Sequence, residues 1–187
     1  MHQLILVTGG ARSGKSDFAQ ALGSRLGGDD VLFVATAQAG DEEMAQRIAV
    51  HRRARPAAWR TLEASRGVGR ALRQAGPASV VIIDCLTMLV SNLLLSFAEN
   101  ATFESTMTAV DVEAQELIEA LRATKGTGIV VTNEVGLGIV PAHRMARLYR
   151  DLLGRANALL ARQSDQVYLL VSGLALEIKS LAQEGSH

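Results

Sequence analysis

The sequence contains little from which crosslinks, aromatic surfaces or a charged binding face could be built. Of its 187 residues, one is cysteine (Cys85), three are proline and 4% are aromatic. A single cysteine excludes an internal disulfide and a cysteine-based metal site, which fits a reducing cytoplasm. Lysine and arginine together number 19, as do aspartate and glutamate, so the formal net charge is zero. That balance argues against a general binder of nucleic acids or membrane surfaces.

Long hydrophobic runs are also missing. The apolar stretch at residues 4–8 is too short for the hydrophobic region of a signal peptide and is followed by glycines. Residues 86–97 are apolar but carry internal polar side chains, and a membrane span needs roughly 20 apolar residues. We therefore expect no membrane span and a buried helix at 86–97. With no shift in composition along the chain, we expect residues 1–187 to form a single domain.

Five short apolar runs, rich in valine, isoleucine and leucine, alternate with helical patterns. Their lack of polar alternation is typical of strands buried on both faces of a parallel sheet. The runs are residues 4–8, 31–36, 80–84, 128–132 and 166–172. This alternation predicts a three-layer α/β domain with a mostly parallel sheet.

Apolar residues at helical spacing mark the segments between the runs. Phe18, Leu22 and Leu26 recur at spacing four, and a wider apolar stripe covers residues 107–121. Pro141 can open a third helix, whose stripe includes Met145, Leu148, Leu152, Ala156 and Leu159. Residues 99–105 are expected to form an exposed loop, and residues 183–187 a polar tail.

The most specific motif follows the first apolar run. It fits the pattern G-x-x-x-x-G-K-[ST] with Gly9, Gly10, Ala11, Arg12, Ser13, Gly14, Lys15 and Ser16. A strand before it and a helix after it are the context that a phosphate-binding loop requires. Lys15 would reach the β- and γ-phosphates of a nucleotide, and the Ser16 hydroxyl would bind Mg²⁺. The alternative, a glycine-rich turn without a ligand, is disfavoured because spacing and context agree.

An acidic residue at the end of a neighbouring strand would complete the metal site. Asp84 ends the run at 80–84, at the edge where ligands bind in open α/β sheets. We favour a metal role over the alternative, in which Asp84 caps the following helix. Glu134, which follows the run at 128–132, is a weaker second candidate.

A histidine and a group of arginines lie further along the chain. Residues 41–53 predict a helix opened by acidic side chains, and His51 lies four residues after Arg47 on it. Arg52, Arg53 and Arg55 follow. Beside a triphosphate site, such a histidine could be a nucleophile, with the arginines neutralising charge on phosphate. A lone histidine near a helix end is more often a cap or a surface residue, so spacing alone leaves both readings open.

Short motifs follow one another in a specific order along nearly the whole chain. They are the phosphate-binding loop, A-T-A at 35–37, D-E-E-M at 41–44, R-I at 47–48, H-R at 51–52, R-P at 55–56, Trp59, T-N-E-V-G at 132–136, G-I-V-P at 138–141, R-D at 150–151, G-R at 154–155, Asn157, V-S-G at 171–173 and Lys179. This set resembles the bifunctional adenosylcobinamide kinase/adenosylcobinamide-phosphate guanylyltransferase family of cobalamin biosynthesis.

The resemblance implies two reactions and a site. ATP or GTP would phosphorylate the aminopropanol hydroxyl of adenosylcobinamide. GMP from GTP would then be joined to that phosphate through a GMP-histidine intermediate, for which His51 is the matching position. The implied nucleotide contacts outside the loop are Ala35, Thr36, Ala37, Arg52, Arg53, Ala54, Arg55, Glu63 and Asp84. A RecA-like P-loop fold, Mg²⁺ held by Ser16 and Asp84, a corrinoid partner, a homotrimer and a cytoplasmic location are further expectations.

Two other functions are compatible with the residues alone. The first is a plain small-molecule P-loop kinase in which His51 is structural. The second is a RecA-like module that binds nucleotides or handles nucleic acid without transferase activity. Zero net charge and few aromatic residues disfavour the second, because single-strand binders use cationic grooves and stacking rings. We therefore expect no nucleic-acid partner.

Overall fold

A computed structural model of the chain describes residues 3–53, 55–97 and 102–182, without the side chain of Arg47. The described elements, in chain order, are β1 (Leu4–Gly9), α1 (Lys15–Gly27), β2 (Val31–Ala35), α2 (Glu42–Arg53), β3 (Arg60–Glu63), α3 (Val68–Gln74), β4 (Val80–Asp84), α4 (Leu86–Leu95), α5 (Phe103–Ala123), β5 (Thr127–Val131), α6 (Arg144–Gln163), β6 (Gln166–Val171), β7 (Leu174–Glu177) and a final 3₁₀ turn (Lys179–Leu181).

The strands form one seven-stranded sheet in the order β3-β2-β4-β5-β1-β6-β7. Neighbouring strands are parallel except β6 and β7, which are antiparallel. The predicted α/β class and the mostly parallel sheet are therefore confirmed. Each of the five apolar runs is a strand, with bounds within one residue of the prediction.

The central strands are apolar at every position because helices cover both faces of the sheet. In β1, Leu4 and Leu6 face a core formed with α3, α4, α5 and α6. Ile5 and Val7 face the opposite core, formed with α1 and Trp59. Burying each such side chain contributes roughly 1.5–3 kcal/mol, which explains why polar residues are excluded from these runs. The arrangement has the three layers that the alternation of strands and helices predicted.

The two strands that the sequence pattern did not reveal lie at the edges of the sheet. Each has four residues, and most of their side chains are exposed. In β7, for example, Leu174 is 77% exposed and Leu176 is 55% exposed. A short strand with one open edge lacks the continuous apolar run that marks a buried strand, so hydrophobic pattern cannot identify it.

The helices differ from the predictions mainly at their ends. Pro141 does not open α6, which begins at Arg144 with His143 as its N-cap. Leu26 is 45% exposed at the end of α1, so the stripe of that helix is buried only in its earlier turns. Of the predicted loop at 99–105, residues 103–105 belong to α5, and residues 99–101 lie outside the described ranges. The predicted tail at 183–187 also lies outside them.

The apolar segment at 86–97 forms α4, whose residues Leu86, Leu89 and Val90 are buried as predicted. In the described ranges, none of the helices has the length and apolar character that crossing a membrane requires.

Candidate active site

The site is built at the carboxyl edge of the parallel strands. Ala35, the last residue of β2, pairs in register with Glu63 on β3 and with Asp84 on β4. Three residues from distant parts of the sequence therefore lie side by side at one level of this edge. The phosphate-binding loop leaves β1 at the same edge, so the topology brings part of the implied set of nucleotide contacts together.

Two glycines give the phosphate-binding loop its shape. Gly9 has a φ of 147°, and a Cβ atom there would lie 2.3 Å from the carbonyl oxygen of Leu170. Gly14, the N-cap of α1, has a φ of 92° in the left-handed region. The loop also accepts a hydrogen bond from the neighbouring β6–β7 turn, in which the Gly173 N–H donates to the Ser13 carbonyl at 3.0 Å. The loop is thus a tight, supported turn, and its backbone N–H groups lie at the N-terminus of α1, where such groups bind anions.

Lys15 is folded back onto the loop. Its Nζ atom donates to the Gly10 carbonyl at 2.6 Å, and the residue is 8% exposed. Burial lowers the pKa of Lys15, while electrostatic interactions with Cys85 and Asp84 act in the opposite direction. The buried ammonium group is therefore enclosed by the loop that would hold phosphate, where an anion would stabilise it strongly.

The sequence analysis assumed that Asp84 lies on a strand adjacent to β1. This is wrong, because β5 separates β4 from β1. Two strand spacings leave about 10 Å between β4 and β1. The loop bridges this gap, since the Ser16 hydroxyl donates to the Asp84 carboxylate. Burial raises the pKa of Asp84. That hydrogen bond and the charges of His51, Arg55 and Lys15 lower the pKa, but by less.

The alternative role of Asp84 as a helix cap finds no support. The N-cap residue of α4 is Cys85, and the cap makes no side-chain hydrogen bond. Cys85 itself lines the site, but burial raises the pKa of its thiol to about 11. The thiol therefore stays protonated near neutral pH and is a poor nucleophile.

Thr36 supports the wall of the site from inside. It is fully buried, and its hydroxyl both donates to the Cys85 carbonyl and accepts from the Cys85 N–H, each at 2.7 Å. Asn92 on α4 donates to the Thr36 carbonyl at 2.8 Å and to the Ser65 carbonyl at 3.2 Å. The polar groups of Thr36 are therefore bonded within the protein, and they hold the Asp84–Cys85 segment in place. Its chain neighbours Ala35 and Ala37 are the other residues of the predicted nucleotide contact.

His51 lies in the last turn of α2, and its side chain is exposed. Asp41 caps this helix, because its carboxylate accepts the Met44 N–H at 2.7 Å. The predicted helix at 41–53 is thus confirmed, with Asp41 as its cap. The helix ends before Arg55 and Pro56, which leaves His51 close to the sheet edge.

A cavity of about 870 Å³ lies between α2 and the carboxyl edge of the sheet. That volume is in the range of small-molecule sites. Its walls include seven of the predicted site residues: Ser16, Ala35, Ala37, His51, Arg55, Glu63 and Asp84. Met44, Ile48 and Met88 add apolar side chains to the walls, which the sequence analysis had not identified as part of the site.

Arg55 is the most constrained cation of this cavity. Its guanidinium carbon lies 3.6 Å from the centroid of the Phe33 ring, a cation–π contact. Its Nε atom is buried without a hydrogen-bond acceptor among the described residues. Burial lowers the pKa of Arg55, although a guanidinium remains charged in proteins. An oriented, under-satisfied guanidinium beside a phosphate-binding loop is suited to an anionic ligand.

The remaining predicted residues lie further out. Arg52 and Arg53 are exposed, and Arg52 forms an exposed ion pair with Glu63 at 3.8 Å. Arg12 is exposed on the loop with a φ of 57°. Ala54 and the side chain of Arg47 lie outside the described part of the chain.

The residues that could hold Mg²⁺ are Ser16 and Asp84, which offer oxygen donors. Ser16 and Asp84 place a hydroxyl and a carboxylate in contact. Among the described residues no cluster of three or more histidine, cysteine or acidic side chains could hold a metal. Mg²⁺ prefers oxygen donors and binds through one or two protein groups together with phosphates and water, and the Ser16–Asp84 pair offers donors of that type.

A strand, a phosphate-binding loop and a helix, with a serine–aspartate pair and a cavity lined by His51 and Arg55, define a nucleotide-binding protein of the P-loop class. Residues 5–178 match the family described as cobinamide kinase / cobinamide phosphate guanyltransferase, and the chain belongs to that family. It is a bifunctional kinase and guanylyltransferase of cobalamin biosynthesis.

Curated relatives share nearly the full length. The chain is 42% identical over 183 residues to the bifunctional adenosylcobalamin biosynthesis protein CobU of Escherichia coli, and the alignment covers 94% of this chain and 99% of that protein. The Salmonella typhimurium protein of the same name is 43% identical with the same coverage. The corresponding CobP protein of Pseudomonas aeruginosa is 41% identical over 175 residues, covering 93% of this chain and 96% of that one.

Among solved structures, the ATPase domain of G40P resembles the fold with a TM-score of 0.51 at 15% identity, covering 90% of this chain and 69% of that one. This similarity supports the RecA-like architecture and carries no argument about function.

Proposed function

We propose that a single phosphate-binding loop serves both reactions of this enzyme and that His51 carries GMP between GTP and the corrinoid phosphate. The observation that supports this most directly is the shared cavity. His51, Arg55, Asp84 and Ser16 line one space beside Lys15, so a nucleotide held by the loop would meet the histidine and the cations together.

In the kinase reaction, Lys15 balances charge on the β- and γ-phosphates while the loop amides hold their oxygens. The ammonium group that now donates to the Gly10 carbonyl would exchange that neutral acceptor for phosphate oxygens. Bonds to charged acceptors are stronger than bonds to carbonyls, so the exchange favours binding of the triphosphate.

In the guanylyl transfer, a neutral imidazole nitrogen of His51 attacks the α-phosphorus of GTP and pyrophosphate leaves. Arg55, held against Phe33, is placed to stabilise the negative charge that builds on the phosphoryl oxygens. The corrinoid phosphate then attacks the same phosphorus, which releases adenosylcobinamide-GDP and frees His51.

Ser16 and Asp84 are the residues that would hold Mg²⁺, which supplies further charge neutralisation on the phosphates when bound. We further propose a cytoplasmic location, as the single cysteine suggests. A homotrimer, one domain over residues 1–187, and nucleotide contacts at Ala35, Ala37, Glu63 and the arginines after His51 complete the proposal.

The test separates the two half-reactions in three variants. Lys15→Ala should lose both, because phosphate charge at the loop would be unbalanced in each. His51→Ala should lose GMP transfer and keep phosphorylation of adenosylcobinamide within a few-fold, because γ-phosphoryl transfer needs no covalent histidine. His143→Ala is the matched control, since His143 is exposed and makes no capping hydrogen bond. Folded Lys15→Ala protein that retains either reaction would contradict a shared loop.

A further inference from the structure

Glu134 lies directly beside the phosphate-binding loop, where sequence reasoning offered it only as a second metal candidate. It follows β5, the strand that separates β1 from β4. Its N–H donates to the carbonyl of Gly9, the first residue of the loop, at 3.0 Å. Because β5 lies between β1 and β4, Glu134 follows the strand that separates the loop from Asp84.

Three hydrogen bonds hold this turn in place. The Thr132 hydroxyl donates to Asn157 Oδ1 at 2.7 Å, and Asn157 Nδ2 donates to the Asn133 carbonyl at 2.9 Å. The Asn133 N–H donates to the Thr87 hydroxyl at 2.8 Å. Helices α4 and α6 therefore fix the segment that carries Glu134, with polar residues whose bonds are made within the protein. Such support is what a positioned catalytic group requires.

The carboxylate of Glu134 is only partly engaged. The Gly136 N–H donates to its Oε1 atom at 2.6 Å, and the described residues offer Oε2 no hydrogen bond. The two other acids of the edge have partners, since Asp84 accepts from Ser16 and Glu63 pairs with Arg52. One oxygen of the Glu134 carboxylate is thus held in place by the turn, and the described residues give the other oxygen no hydrogen bond.

We infer that Glu134 is the general base of the kinase reaction. Its Oε2 atom accepts the proton of the acceptor's hydroxyl while the hydroxyl oxygen forms a bond to the γ-phosphorus of the nucleoside triphosphate. The bond from that phosphorus to the β,γ-bridging oxygen breaks, and the nucleoside diphosphate leaves with the electron pair. The half-buried carboxyl group then returns its proton to water. This inference rests on the proposal that the loop at Gly9 serves the kinase step.

The test is Glu134→Gln, assayed on the two halves of the reaction separately. The amide oxygen of glutamine can still accept the Gly136 N–H, so the turn keeps its shape while the base is lost. Phosphorylation of adenosylcobinamide should fall about 100-fold or more, the usual contribution of a general base. Formation of the GMP adduct, and GMP transfer to adenosylcobinamide phosphate supplied directly, should stay within about twofold of wild type.

Two further variants make the result decisive. Glu134→Asp should recover part of the kinase rate, because it restores a carboxylate at shorter reach. Glu119→Gln, on the exposed face of α5, should leave both reactions unchanged. The inference is overturned if folded Glu134→Gln keeps near-wild-type kinase turnover, or if both reactions fall together. Kinase activity that survives Lys15→Ala would instead refute the shared loop, so the two failures are distinguishable.

Discussion

Thr36 offers a sharp test of how the site is held together, because its side chain is buried and bonds only to the backbone at Cys85. The change Thr36→Val keeps the shape of the side chain and removes the hydroxyl. That hydroxyl accepts the Cys85 N–H and donates to the Cys85 carbonyl. The carbonyl also accepts the Leu89 N–H at 3.2 Å, so it would retain one partner, whereas the Cys85 N–H would have none.

The expected loss can be estimated from these two bonds. An orphaned, partly buried N–H costs about 1–2 kcal/mol, and loss of one of two bonds at the carbonyl costs about 0.5–1 kcal/mol more. The sum is about 1.5–3 kcal/mol of unfolding free energy. For a chain of this size each kcal/mol shifts the melting temperature by about 2–4 °C, so Thr36→Val should melt about 3–12 °C below wild type.

Thermal and denaturant unfolding of the nucleotide-free protein would measure the effect. Thr61→Val is the matched control, because Thr61 is exposed on the edge strand β3, and its melting temperature should change little. Thr36→Ser, which keeps the hydroxyl, should recover part of the stability. If Thr36→Val were as stable as Thr61→Val, the bonds at Cys85 would not support the site as argued.

Two further predictions concern the carboxylate and the loop. Burial raises the pKa of Asp84 above its ordinary 3.8, so this group stabilises the fold most at low pH and progressively less as pH rises toward its folded-state pKa. Nucleotide-free Asp84→Asn should therefore have a higher melting temperature than wild type at neutral pH, and the difference should shrink in acid. Its Mg²⁺-dependent turnover should fall. A melting temperature below that of wild type at neutral pH would contradict this. Gly9→Ala places a Cβ atom 2.3 Å from the Leu170 carbonyl oxygen and should abolish both reactions. Gly154→Ala on α6 is the control, because a Cβ atom there meets open space and both reactions should persist. Active Gly9→Ala protein would show that the loop can relax.

The central strands were predictable because burial on both faces leaves a continuous apolar run, as in β4. The edge strands β3 and β7 have no such run, because solvent contacts their side chains and pairing rather than hydrophobic pattern defines them. The start of α6 was missed because Pro141 is compatible with a first helical turn but does not require one, and the chain delays the helix until Arg144.

The site was predictable where its chemistry is local in sequence. The phosphate-binding loop is one contiguous motif, and its glycines adopt the backbone that the motif implies. Contacts between distant segments were not accessible to spacing arguments: Ser16 with Asp84 across β5, Arg55 on Phe33, and Glu134 against Gly9. They arise from strand order and register, which a single sequence does not state.

The proposed role of His51 comes from family resemblance rather than from its surroundings in the sequence. Its position on the wall of the cavity that Asp84 and Arg55 also line is the structural observation that supports this proposal. The plain kinase that the residues alone left open would have the same loop and the same carboxylate. Only chemistry at the histidine separates the two.

The most direct test of the account is therefore mass spectrometry of the protein after incubation with GTP and Mg²⁺. Wild type and His143→Ala should each carry GMP on His51, as a phosphoramidate that is labile in acid and survives mild alkali. Folded His51→Ala should carry none. An adduct on another residue, or one that persists in His51→Ala, would contradict the claim that His51 carries the guanylyl group.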